Sequence, residues 1–256
     1  MSLTLIAVKL AVTLLTVLAL AALAERVSAR VAGVLAGFPL GTGIALFFLG
    51  WEQGPTYAAQ AAVATLPGFL AAQGLALTYS RLSAHGAAIS TLLAVAVFLV
   101  LAWPLQAWGL TLWPALAVTV AGTLVFHRLL RGGRDVAVRA GRNRWRIHLL
   151  RGLFSALVII AVTSVGHISP PALAGVLAAF PITFFPLLVL LHAQYGAGTA
   201  QTLTRHYPAG LGALIAHTTV VALSYEVLGL GIGTLLGLLA AMVWSGLWLG
   251  LRRSHP

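Results

Sequence analysis

"AGVLAGFP" occupies residues 32–39 and "AGVLAAFP" occupies residues 174–181, seven identities in eight at a spacing of 142. Both phrases lie in apolar runs, and both end in a proline, which removes a backbone hydrogen bond and kinks or interrupts a helix. The correspondence continues in order on either side. Downstream, Gln53 answers Gln194, Ala59-Gln60 answers Ala200-Gln201, and Pro67 answers Pro208, all at a spacing of 141. Upstream, Lys9 answers Arg151 at a spacing of 142, one cation in each unit. The chain is read as a repeat of about half its length.

Composition says what each unit is made of. Of the 256 residues, 60% are hydrophobic and 7% are charged, where a soluble domain keeps roughly a quarter charged. The mean hydropathy is +1.01. So much apolar surface belongs in lipid. Cysteine is absent, which excludes disulfides and thiolate metal sites, and the only acids are Glu25, Glu52, Asp135 and Glu226. The formal net charge of +11 is assigned to lipid headgroups rather than nucleic acid, because the basic residues fall between apolar spans.

A helix needs about 20 apolar residues to cross a hydrocarbon core of about 30 Å. Nine spans are predicted, near 3–24, 31–50, 56–79, 86–104, 108–129, 147–166, 172–192, 199–226 and 229–251. The first is read as a retained helix, since no basic stretch precedes it and its apolar run is long for a signal peptide. With nine spans, fourteen of the fifteen basic residues fall on one side, Lys9 being the exception. That side is cytoplasmic by the positive-inside rule, so the N-terminus is expected outside and the C-terminus inside.

Spans 1–4 then repeat as spans 6–9. The expected organisation is a first four-helix repeat over 1–107, a connector helix and basic loop over 108–146, and a second repeat over 147–256. An odd connector inserts the second unit upside down. The fold is expected to be an all-α integral membrane protein in a 4+1+4 inverted repeat, an architecture of many secondary transporters.

Small residues four apart, Gly33 with Gly37 and Gly175 with Ala179, let another helix backbone approach closely. Pro39 and Pro181 lie about 12 Å into their spans at 1.5 Å per residue. Interrupted helices in matching places of two inverted halves point to a transport site. Thr42, in "LGTG", and Thr183, in "ITFFP", follow these breaks and join the candidate substrate-binding set.

Each unit resembles the GlpM family, small bacterial inner-membrane proteins of about four spans. A Lys in the first helix and "AGxxxxFP" opening the second carry the resemblance, here Lys9 with "AGVLAGFP" and Arg151 with "AGVLAAFP". Arg151 departs from the pattern but keeps the charge. The resemblance implies a tandem fusion of two units with span 5 added, and a connection with envelope metabolism. It implies no established substrate.

Lys9 and Arg151 sit one to two turns inside the membrane on opposite leaflets. They are read either as snorkelling to headgroups or as binding an anionic substrate or lipid phosphate. His217, with Thr218 and Thr219, lies deep in span 8, as a satisfied core histidine or as a proton carrier. Gln53, Gln60, Gln194 and Gln201 cap helix ends or line a polar path. The candidate substrate-binding set is therefore Lys9, Pro39, Thr42, Gln60, Arg151, Pro181, Thr183, Gln201 and His217.

No metalloprotease, nucleophile-elbow or phosphate-loop motif occurs, and no enzyme activity, cofactor or metal is expected. The function read from sequence is a small transporter or lipid translocator for an anionic or amphipathic envelope metabolite. The alternative is a non-transporting scaffold of an envelope-synthesis complex. Expected partners are anionic lipids and a small anionic or amphipathic substrate, with a homo-oligomer open.

Overall fold

A computed structural model describes residues 3–26, 39–132 and 144–253. Residues 32–38 of the first repeated phrase, with Gly33 and Gly37, lie outside the described residues, and so does the side chain of Arg151. Among the described residues there are nine helices and no strand: α1 Leu3–Arg26, α2 Leu40–Gln53, α3 Pro55–Leu82, α4 Ala87–Gln106, α5 Leu112–Leu130, α6 Arg144–Gly166, α7 Pro171–Ala178, α8 Phe184–Tyr195 and α9 Ala197–Arg253.

Glycines end and turn these helices. Gly54 (φ 96, ψ 159) separates α2 from α3, and Gly196 (φ 83, ψ −177) separates α8 from α9. Gly86 (φ 94, ψ 159) precedes α4, and Gly229 (φ 75, ψ 173) breaks α9 into limbs 197–228 and 230–253. These positive-φ backbones are cheap only for glycine. By contrast, α3 runs on through Pro67 and α9 through Pro208.

The limbs of α9 fold back on each other. A Cβ on Gly233 would touch the Tyr225 ring, one on Gly237 the His217 ring, and one on Gly212 the Trp244 indole. Four helical segments are long and apolar enough to cross a membrane: Pro55–His85, Ala87–Gln106, Leu112–Leu130 and Ala197–Trp248. The last contains the Gly229 break. Shorter apolar helices are Leu3–Ala19, Gly152–Gly166 and Phe184–Tyr195.

At the centre lies α3, buried along most of its length by α4, α5, α7 and α9. Its contact with α7 is the closest. A Cβ on Gly175 would lie 2.0 Å from the Ala61 carbonyl oxygen, and one on Gly68 would lie 2.7 Å from Ala179 Cβ. Thr65 ties the two helices, its hydroxyl 2.9 Å from the Ala61 carbonyl and 2.8 Å from that of Gly175. The small residues of the second phrase thus admit a neighbouring backbone, as their spacing predicts. Helices α1 and α6 pack together, with Gly152 against Leu14.

The outer surface is apolar. Leu92, Leu99, Val100, Leu124, Leu157, Leu235 and Leu247 are all exposed, a coat suited to hydrocarbon rather than water. One end of the bundle gathers residues 52–57, 106–112, 166–171 and 228–230, and there Trp51, Trp103, Trp108 and Trp113 are exposed. Arg81, Arg128 and Arg131 are exposed at the opposite end. A tryptophan girdle and an arginine-rich opposite end are the features of a bundle lying between two membrane surfaces.

Candidate functional site

The two prolines introduce matching local structures. The Pro39 carbonyl accepts from the Gly43 N–H at 2.8 Å, and the Pro181 carbonyl accepts from the Phe185 N–H at 2.7 Å. The first bond opens α2, whose N-cap is Pro39, and the second closes the turn that leads into α8, whose N-cap is Thr183. Between α7 and α8 the chain makes a tight turn in which the Ile182 N–H reaches the Phe180 carbonyl at 2.7 Å. Ser155 of α6 donates to the Ile182 carbonyl at 3.0 Å, satisfying an acceptor that the break leaves without a helical partner.

The breaks are neighbours in space. A Cβ on Gly41 would lie 2.8 Å from Ile182 Cβ and 3.4 Å from Thr183 Cγ2. Pro39, Thr42 and Pro181 are buried, and Thr183 is half-buried. Gly43, one turn into α2, admits the ring of His217, whose Nε2 would be 3.0 Å from an added Cβ. On its other side the ring lies against the Gly237 backbone. His217 is fully buried with no side-chain partner on either ring nitrogen, and the neighbouring Thr218 hydroxyl is also unpaired. Five predicted site residues therefore collect around the two helix starts.

The others do not. Gln60 is exposed on α3. Gln201 is exposed at the arginine-rich end, where its amide donates to Ser83 Oγ at 3.0 Å. At that same end the buried Tyr79 hydroxyl meets His192 Nδ1 at 2.9 Å.

Lys9 has a different role from the one its sequence position suggests. It is fully buried, so it neither snorkels nor faces lipid, and its ammonium pairs with Glu52 of α2. Lys9 Nζ also donates to Thr163 Oγ1 at 2.6 Å and lies 5.8 Å from the centre of the Phe48 ring. The second oxygen of Glu52 meets His167 Nε2 at 2.6 Å, and His167 Nδ1 meets Gln53 Nε2 at 2.7 Å. Tyr57 holds the segment that carries His167, its hydroxyl 3.0 Å from the Gly166 carbonyl and 2.9 Å from that of Ser169.

The partner of Lys9 is thus an acid of the chain itself, Glu52, in place of the headgroup or anionic ligand expected from sequence. Sequence reasoning missed Glu52, Thr163 and His167 as its partners. A usable signal existed: alternating spans place the end of span 2 on the same side as the start of span 1, and Glu52 is one of only four acids.

Among the described residues no cluster of three or more His, Cys, Asp or Glu could hold a metal ion. Comparison with protein families, with curated proteins and with solved structures finds no match.

Proposed function

We propose that this chain is a bacterial inner-membrane transporter or lipid translocator for an anionic or amphipathic envelope metabolite, built from two inverted four-helix repeats joined by α5. The observation that carries the reading is the meeting of two helix starts inside the bundle. From Gln53 back to Leu40 is about 20 Å, and from Tyr195 back to Phe184 about 17 Å, at 1.5 Å per residue. In a core of about 30 Å both starts fall near mid-depth. Helix N-termini carry partial positive charge and unpaired N–H groups, which favour an anion.

The inverted repeat draws support from the paired breaks: Pro39 with Pro181, Gly54 with Gly196, and Gly86 with Gly229. The α1–α6 pairing supports it too. The GlpM-like reading of each half rests on the same phrases. In this reading the tryptophan end faces outward, and the halves part at the contact between Gly41 and Ile182 as they rock. The scaffold reading has one observation in its favour, the tight packing around that contact.

The test uses the absence of native cysteine. A Gly41→Cys/Ile182→Cys chain is reconstituted in liposomes, and translocation is followed with fluorescent phosphatidylglycerol and with a trapped sugar phosphate. Flux of one probe is expected under reduction, lost on oxidation and regained with reductant. A chain inert towards both probes, or flux indifferent to the cross-link, would overturn transport and leave the scaffold.

A further inference from the structure

Three side chains at the tryptophan end form a series from water to core. The His167 side chain is 37% exposed, Glu52 is 4% exposed and Lys9 is 0% exposed. Lys9 and Glu52 come from the first half of the chain, Thr163 and His167 from the second. The imidazole is therefore the water-accessible member of a polar bridge between α2 and the segment that follows α6.

We propose that His167 is a proton-binding site whose occupancy tightens the Lys9–Glu52–His167 clasp between the two halves of the chain. The contacts of the ring suit both of its states. In the neutral ring Nε2–H donates to Glu52, and Nδ1 accepts from the Gln53 amide as placed. A proton from bulk water adds to Nδ1 and turns it into a donor. Gln53 meets that change by turning its amide, which presents Oε1 instead of the NH2 group.

The Nε2–H bond to Glu52, already assisted by the carboxylate's charge, survives the proton and becomes an ion pair in which both partners are charged. Glu52 is paired on its other oxygen with the buried Lys9, and Lys9 is in turn bonded to Thr163. Tyr57, from α3, contributes a neutral hydroxyl to the carbonyls flanking the histidine. Glu226, the other described acid towards this end, is exposed on α9. A ligand that strengthens one arrangement shifts the population towards it. Acid therefore closes the clasp, and alkali relaxes it.

The inference stands apart from transport, and its test involves no flux. Ile159, fully buried one turn below Thr163, is replaced by Cys as a reporter. Its labelling by a small charged thiol reagent is normalised to a Cys at exposed Gln60 in the same buffer. From pH 8 to pH 5.5 the normalised rate should fall about fivefold, the factor that goes with one strengthened hydrogen bond. His167→Gln should remove the pH response. Lys9→Met/Glu52→Gln, which removes the clasp without leaving a lone buried charge, should label quickly at both pH values.

Hydrogen exchange over residues 164–169, corrected for the intrinsic pH effect, is measured in parallel so that a reporter too buried to label still leaves a readout. A flat or accelerating response in the parent by whichever readout responds, unchanged corrected exchange where the thiol stays silent, or a response retained by His167→Gln would overturn the proposal.

Discussion

Replacing Gly175 with Ala adds one methyl group at the tightest helix contact in the bundle. The new Cβ would sit 2.0 Å from the Ala61 carbonyl oxygen, 2.7 Å from its carbon and 2.9 Å from Ala61 Cα. All three atoms are backbone, so no side chain can rotate away. Reaching ordinary contact, about 3.4 Å, requires α7 and α3 to separate by roughly 1.4 Å. A gap of 0.5–1 Å already forfeits about a quarter to a half of each dispersion contact. The Thr65 tie to the Gly175 carbonyl, now 2.8 Å, would stretch beyond hydrogen-bonding distance. The expected loss is about 3 kcal/mol, at the upper end of ordinary overpacking. Unfolding in mixed micelles with increasing SDS, followed by tryptophan fluorescence, measures it. Gly231→Ala is the control, because an added Cβ there meets nothing within 4 Å and should be neutral or stabilising by up to about 1 kcal/mol. Equal stability of Gly175→Ala and the parent would show that α3 and α7 are not in backbone contact.

Glu52→Gln leaves the Lys9 ammonium buried beside a neutral amide and should cost about 3–5 kcal/mol in the same unfolding assay. The double variant Lys9→Met/Glu52→Gln should recover most of that loss, and a purely additive double would refute the pairing. For topology, Ala107→Cys at the tryptophan end should react with an impermeant maleimide in intact cells, while Ala84→Cys at the arginine end should react only after lysis. The reverse pattern would overturn the orientation.

Most of the helical order was legible because period and length are properties of the sequence. Six glycine and proline positions, Pro39, Gly54 and Gly86 with Pro181, Gly196 and Gly229, punctuate the chain, while Pro67 and Pro208 do not interrupt their helices. Such residues act through their own backbone, whatever lies around them. Pairing across the bundle was harder to read. Lys9 and Glu52 are 43 positions apart in the sequence, and nothing local tells a lysine whether it faces lipid or a carboxylate. The placement of His217 between Gly43 and Gly237 depends on three helices and has no local signature. Gln60 and its counterpart Gln201 are both exposed, which their spacing in the sequence does not reveal.

The arginines exposed at one end bear on how the molecule behaves after it is made. Turning the bundle over would carry Arg81, Arg128 and Arg131 through hydrocarbon. With the arginine end cytoplasmic, as proposed, a potential of about 100 mV would oppose three charges by about 7 kcal/mol, at about 2.3 kcal/mol per charge. Desolvation of each guanidinium would add about 2.5–3.5 kcal/mol more on insertion scales. The tryptophans at the other end resist being drawn inward for a separate reason, the preference of their rings for the headgroup layer. In the proposed membrane setting, orientation would therefore be settled once, during insertion, with a large barrier to reversal afterwards. A population of these molecules keeps a common polarity for as long as the membrane lasts.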